Sequence, residues 1–193
     1  MTMSSYSRRR VVTCLGLVAL LGGCGTTPSP KLFTLAPRPA AKPNRMAAKI
    51  TVKGVTVAKY LDRPQIVRYG TAYELSVSEF ERWGEGMTDM VTRVLVEDLS
   101  LRLPESDIFA ASGAATMPAD AIVDVDIDRF DADPDNVVIL AARWVVRREP
   151  QALSSRADRI VVRPRSPATV DLVSAMSDAL GQLGDSIASA IVA

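Results

Sequence analysis

The chain has no histidine and only two cysteines among its 193 residues. Without imidazole, Ser-His-Asp and Cys-His catalysis and the commonest zinc ligand are excluded together. Aromatic residues make up 5% of the sequence, and 23 basic against 22 acidic side chains leave a formal charge of +1. Nucleic-acid binding needs a basic patch or stripe, which this balance does not supply. No apolar run reaches the roughly 20 residues of a membrane-spanning helix. The G-x-S-x-G, Walker and G-x-G-x-x-G motifs are missing. Gly84 and Gly86 lie close together but lack the strand–loop–helix setting that cradles phosphate. These absences favour a non-enzymatic protein.

What is present begins at the N-terminus. Residues 1–10 carry Arg8, Arg9 and Arg10 and no acid, and Val11 to Leu21 form a short apolar run. A positive start followed by roughly 7–15 apolar residues describes a secretory signal. Leu21-Gly22-Gly23-Cys24 follows and resembles the bacterial lipobox. Its small residues pass a peptidase in extended form, and the Cys24 thiol is the nucleophile that takes a diacylglyceryl group. Cleavage between Gly23 and Cys24 is expected. The covalent lipid on Cys24 is then the only added group, with no metal or other cofactor. Ser7-Arg8-Arg9 keeps the twin-arginine export route open beside the general one. Without the three leader arginines the mature part holds 20 basic and 22 acidic residues. Cys14 leaves with the leader, so no thiol remains for a disulfide and the fold must rest on packing.

Three segments are expected: a signal at 1–23, a lipidated proline-rich arm at 24–47, and a domain at 48–193. Pro28, Pro30, Pro37, Pro39 and Pro43 disfavour helix in the arm. Leu32-Phe33-Thr34-Leu35 interrupts it as a short edge strand. Lys49 to Lys53 alternates with period two, and the phase slips after Gly54, which predicts a β-bulge there. Gln65–Tyr69 and Tyr73–Val77 read as a hairpin about Gly70-Thr71-Ala72. Met87, Met90, Val91, Val94, Leu95 and Leu99 predict an amphipathic helix over about 83–102. A small-residue loop is expected over 111–118. Strands follow at Ile122–Phe130, Val137–Arg148 and near Ser154–Val162, with a turn at Asp133-Pro134-Asp135-Asn136. Val173, Met176, Leu180, Leu183, Ile187 and Ala190 make an apolar seam on a helix over Thr169–Ile191, read as packing on the sheet. The fold class is an α/β sandwich of the α+β type: a mostly antiparallel mixed sheet with two amphipathic helices on one face.

Several clusters invite chemistry. Asp124, Asp126 and Asp128 suggest calcium, but an EF-hand loop needs glycine at its sixth position and glutamate at its twelfth. Counted from Asp124 those positions hold Arg129 and Asp135, and counted from Asp131 they hold Asn136 and Ala142. Period two instead puts the aspartates on a solvated strand face, with Val125 and Ile127 turned inward. Arg143, Arg147 and Arg148 read as a solvated strand end, with a phospholipid headgroup as the rival partner. Trp83 and Trp144 read as core or interface anchors. The segment Lys59-Tyr60-Leu61-Asp62-Arg63-Pro64-Gln65-Ile66-Val67 stands out. It is either a structural corner, with Arg63 paired to Asp62 or capping carbonyls, or a surface for a partner.

That segment resembles the hallmark of the PqiC-type lipoproteins, auxiliary components of ABC-type and MCE-type transport systems. Trp83 at the head of the first helix, Val94 to Leu99, Val125 to Phe130, Leu140 to Trp144 and Ala179 to Ala188 agree in order. Lys31 to Leu35 departs from the family's tyrosine-rich Tyr-x-Leu. The resemblance implies a non-enzymatic part in moving lipid between membranes. It places the protein at the outer membrane, lipid-anchored and facing the periplasm, as a homo-oligomeric ring. The ring would meet an MCE-domain membrane protein and inner-membrane transport components, with Leu61, Asp62, Arg63, Pro64, Gln65, Ile66 and Trp83 as candidate contact residues. Gly25 after the cysteine fits outer-membrane transfer. Two other classes remain: a lipoprotein that binds and regulates a cell-wall enzyme, and a periplasmic lipid-binding carrier.

Overall fold

The computed structural model describes residues 29–40, 42–111, 118–148 and 153–193. The expectations for the signal, Gly23 and Cys24 lie outside these residues, as does most of the 111–118 loop. In order, the described elements are β1 (Lys31–Phe33), β2 (Lys49–Val57), β3 (Gln65–Thr71), β4 (Glu74–Trp83), α1 (Met87–Arg102), β5 (Asp107–Ala110), β6 (Ala121–Ala132), β7 (Val138–Arg148), β8 (Leu153–Val162) and α2 (Thr169–Val192). They make one mixed sheet in the order β1-β4-β3-β6-β2-β5, with β7 and then β8 on the other side of β6. The longest ladders, β6–β7 and β7–β8, are antiparallel, whereas β2 runs parallel to both β5 and β6. α1 covers β2 and β5, α2 covers β6, β7 and β8, and the helices touch each other. The expected α+β sandwich, with helices on one face, is what forms.

Alternation dictates the core. Val123, Val125 and Ile127 of β6 and Val138, Leu140, Ala142, Trp144 and Val146 of β7 are buried, while the residues between them point away from the helices. Val173, Met176, Leu180, Leu183 and Ile187 of α2 close the layer from above. The predicted bulge is present: the β2–β6 register shifts between Val52 and Gly54. A Cβ on Gly54 would lie 2.9 Å from the Asp124 carboxylate, so any larger residue there would have to push that side chain aside. The turn before β7 follows its chemistry too. Asp133 Oδ1 accepts from the backbone N–H groups of Asp135 and Val137, and Asn136 takes a left-handed φ of 57°.

Other expectations need correction. Trp83 does not head the first helix; it ends β4, pairs with Phe33 of β1, and donates its backbone N–H to the Pro64 carbonyl. Gly84-Glu85-Gly86 then breaks the chain before α1 begins at Met87. The β3–β4 turn falls at Ala72-Tyr73 rather than at Gly70-Thr71-Ala72. The edge strand is Lys31–Phe33, one residue earlier than its apolar patch suggested. β5 carries no alternation long enough to announce itself. Arg143 and Arg147 are solvated as expected, but each also has an acidic partner on β6. Arg143 reaches Asp128 at 2.9 Å and Arg147 pairs with Asp124, both on the face turned from the helices.

The arm is not loose where it is described. Leu35 is buried against α1, and its N–H meets the Met90 sulfur at 3.3 Å. The Ala36 N–H donates to Ser177 Oγ on α2, and the Arg38 N–H donates to Asp98 on α1. Asn44 donates its N–H to the Arg102 carbonyl. Residues 33–40 and 42–44 therefore form a strap over the seam between the helices.

Candidate partner-binding site

β2 and β3 lie one after the other along the same side of β6. β2 pairs with it through Val57↔Ile127, and β3 rejoins at Arg68↔Ala132. The segment between them, residues 58–64, must bridge that gap in a tight turn. Ala58 donates its N–H to Ile127 O, Leu61 to Ala58 O, Asp62 to Lys59 O and Arg63 to Leu61 O. Leu61 and Ile66 plunge into the core at 2% and 1% exposure, fixing both ends of the turn. Asp62, Arg63 and Pro64 are left on the outside.

Beneath the turn lies a polar cluster that sequence reading missed. Asp128 is an extra residue in β6, where the register with β7 shifts between Ile127 and Arg129. The slip reverses the faces. Phe130 turns into the core, while Arg129 and Asp131 join the face opposite the helices. There the Tyr60 hydroxyl donates to Asp131 Oδ2 at 2.5 Å, and Arg129 Nε donates to Asp131 Oδ1 at 2.9 Å. The Arg129 guanidinium also lies 4.7 Å from the centre of the Tyr69 ring, whose edge meets Tyr60. Asp131 is fully buried, and burial pushes its carboxyl above the ordinary value against the opposing pull of Tyr60 and Arg129. Burial first, and the Asp131 carboxylate second, push the Tyr60 phenol far upward, so it remains a donor at physiological pH. The signal that could have exposed this cluster is the break in alternation at Asp128-Arg129-Phe130-Asp131. No glycine marks it, and the segment otherwise reads as regular strand.

The candidate contact residues thus separate. Leu61, Ile66 and Trp83 are structural: all three are buried, and Gln65 is half-buried in the β3 ladder opposite Arg82. Asp62, Arg63 and Pro64 are exposed, and among the described residues no side-chain hydrogen bond or ion pair engages Asp62 or Arg63. The expected Asp62–Arg63 pair is not formed. The turn is held by its backbone and its buried neighbours, so it presents an acid, a base and a proline on a stiff base.

Elsewhere, a surface groove of about 610 Å³ lies between α1 and the edge of β2, lined by Lys53, Glu85, Asp89, Arg93 and Glu97 among others. Arg93 is already paired with Glu85 and Glu97. The β6 aspartates are likewise engaged: Asp124 by Arg147, Asp126 by Thr56 and Asp128 by Arg143. Among the described residues no group of three or more metal-ligating side chains converges.

The family model described as "ABC-type transport auxiliary lipoprotein component" matches residues 33–188, from the strap to the last turns of α2. The chain belongs to this family. Its members are lipoprotein accessories of transport systems, so membrane association and a transporter partner come with membership. A crystal structure of an uncharacterized protein superposes with a TM-score of 0.71 at 18% identity, covering 85% of this chain and 99% of its own. A Xanthomonas campestris protein assigned to DUF330 superposes at 0.66 with 19% identity, covering 81% and 92%. These likenesses establish the fold. No curated protein matches the chain significantly.

Proposed function

We propose that this family member is the lipid-anchored accessory of an MCE-type intermembrane lipid transporter, standing at the outer membrane and facing the periplasm as a homo-oligomeric docking ring. In this reading Cys24 carries the lipid and fixes the domain to its membrane. The 58–64 turn meets the MCE-domain partner, and repeated copies surround the mouth of the transport tube. A domain of this size does not enclose a lipid path alone, so assembly is part of the reading.

The observation that carries it is the turn itself. Asp62, Arg63 and Pro64 stand exposed, with no side-chain partner for Asp62 or Arg63 among the described residues, on a backbone pinned from below by Leu61, Ile66 and the Tyr60–Asp131–Arg129 cluster. Exposed charge held rigidly without an internal partner suits recognition rather than stability, because exposed pairs contribute only about 0–1 kcal/mol to folding. The paired variant Asp62→Ala/Arg63→Ala is expected to melt within about 2–4 °C of the parent, because two surface changes of at most about 0.5 kcal/mol each sum to about 1 kcal/mol. It is expected to lose co-purification with the MCE-domain protein. A melting point far below the parent would return the turn to a purely structural role. Normal melting with undiminished capture would move the contact elsewhere.

A further inference from the structure

The two-layer fold leaves the sheet face opposite the helices open, and exposed apolar side chains are not scattered evenly over the protein. Seven large hydrophobic residues are exposed among the described ones: Leu32, Tyr73, Leu75, Phe80, Leu101, Val161 and Val170. The first four sit on β1, on β4 or in the turn that starts β4. Val170 follows Thr169, whose hydroxyl donates to Glu81 of β4. Leu32 and Phe80 share a side. Leu32 pairs with Arg82, two residues beyond Phe80, whereas Glu81 between them turns inward to Thr169. Leu75 pairs with Tyr69, which belongs to the same outer face through Arg129. At the tip Tyr73 is 99% exposed.

The chain path says what lies against this patch. β1 runs parallel to β4, with Lys31 beside Glu81, so residues preceding Lys31 leave from the end of β1 that points along β4 toward the β3–β4 tip. Cys24 stands seven residues before Lys31. A fully extended chain of that length spans at most about 25 Å. From Glu81 back to Tyr73 is eight residues of β4 and its turn, which at about 3.3 Å per residue is about 26 Å. A lipid on Cys24 therefore keeps the bilayer within one strand length of Lys31, beside the apolar edge. The strap fixes this geometry, because Leu35, Ala36 and Arg38 are bound to both helices and cannot pay out more tether.

We infer that the β1 edge and the β3–β4 hairpin rest on the surface of the anchoring bilayer, with Tyr73, Leu75, Phe80 and Leu32 as the contacting side chains. This rests on the Cys24 anchor proposed above. Tyrosine suits the site because its ring is apolar and its hydroxyl wet, the combination found at membrane–water interfaces. Nearby charges are mixed: Lys31 and Arg82 stand with Glu74 and Glu79. The contact is apolar in character and does not require an anionic surface. With the hairpin on the lipid, the lipidated domain is oriented as well as tethered.

The test uses the full lipidated protein in vesicles of phosphatidylethanolamine and phosphatidylglycerol carrying brominated acyl chains, which quench indole fluorescence on contact. The native Trp83 and Trp144 are 5% and 2% exposed and sit in the core. Tyr73→Trp supplies a reporter at the tip, and Leu101→Trp supplies an exposed control in the last turn of α1, at the far end of the sheet. Quenching several-fold greater for Tyr73→Trp than for Leu101→Trp, unchanged in high salt, is expected. Equal or absent quenching while the protein still floats with vesicles overturns the hairpin contact and leaves the anchor standing. Shielding of the Tyr73→Trp indole from acrylamide only when the protein self-associates would assign the face to a second copy and also overturn it. If the lipidated chain floats no better than Cys24→Ser, the anchor fails and the hairpin contact fails with it.

Discussion

At Asp131 the fold buries a carboxylate and answers it with two donors, the Tyr60 hydroxyl and the Arg129 guanidinium. Tyr60→Phe removes one donor and leaves a buried acceptor short, which costs about 1–3 kcal/mol; a urea midpoint equal to the parent's would contradict the burial of this bond. The pH dependence has a definite sign. A carboxyl whose folded pKa is raised holds its proton more tightly in the folded state. It contributes stability below its unfolded value of about 4 and loses that contribution as pH rises through the folded value. Asp131→Asn keeps the neutral shape and does not titrate. Its penalty is expected to be largest near about pH 4 and to shrink toward neutrality. Denaturant titrations of both proteins across that range check it, and a penalty that grows with pH would show that the charged form is the favoured one. Sequence alone points to the Leu61–Ile66 segment, because an acid, a base and a proline before an apolar strand are conspicuous. It is silent on Asp131, whose partners come from β2's end, β3 and a bulged β6.

The strap and the helix pair show the same logic at the level of elements. Arg102, 3% exposed, donates to the carbonyls of Arg38, Asp98 and Gly181 and pairs with Asp98 and with Asp185 at 2.6 Å. One arginine thus ties α1, α2 and the strap. A Cβ on Gly181 would stand 2.9 Å from the Arg38 Cβ, so the glycine on α2 is what lets the strap approach. Asp98 is fully buried, and burial pushes its carboxyl upward despite the Arg38 N–H and Arg102. Arg102→Ala leaves that carboxylate without its cation, a change that costs about 3–5 kcal/mol in buried pairs. A loss of that size in chemical denaturation, with faster amide exchange in residues 35–44, is the expected result. A loss under about 1 kcal/mol would mean that the strap is held without Arg102. The helices themselves were legible from their apolar spacing. The strap was not, because five prolines read as extended chain whether or not that chain is bound.

For the whole molecule, the two-layer build decides what is free to act. Helices cover one sheet face, and the other carries the cross-strand pairs of β6 and β7, the 58–64 turn and the apolar hairpin. In the proposed arrangement anchor, strap and hairpin act in series: lipid on Cys24 would hold the chain near the bilayer, the strap would shorten the tether, and the open face would set the orientation. Cys24→Ser is expected to move the protein from the membrane fraction to the soluble periplasmic fraction without changing its melting. A variant that remains membrane-bound would disprove the lipid anchor.

The sequence by itself determined the α+β class, both helices, the Gly54 bulge and the turn at Asp133–Asn136. Each of these is a local pattern of charge, period or turn chemistry. Only the tertiary structure decided that the arm is a strap, that Trp83 ends a strand, and that Tyr60, Tyr69, Arg129 and Asp131 meet. Those outcomes depend on register between segments far apart in the chain. A one-residue bulge at Asp128 reverses which side chains face the core, and the local sequence marks it only by a break in alternation, with no glycine.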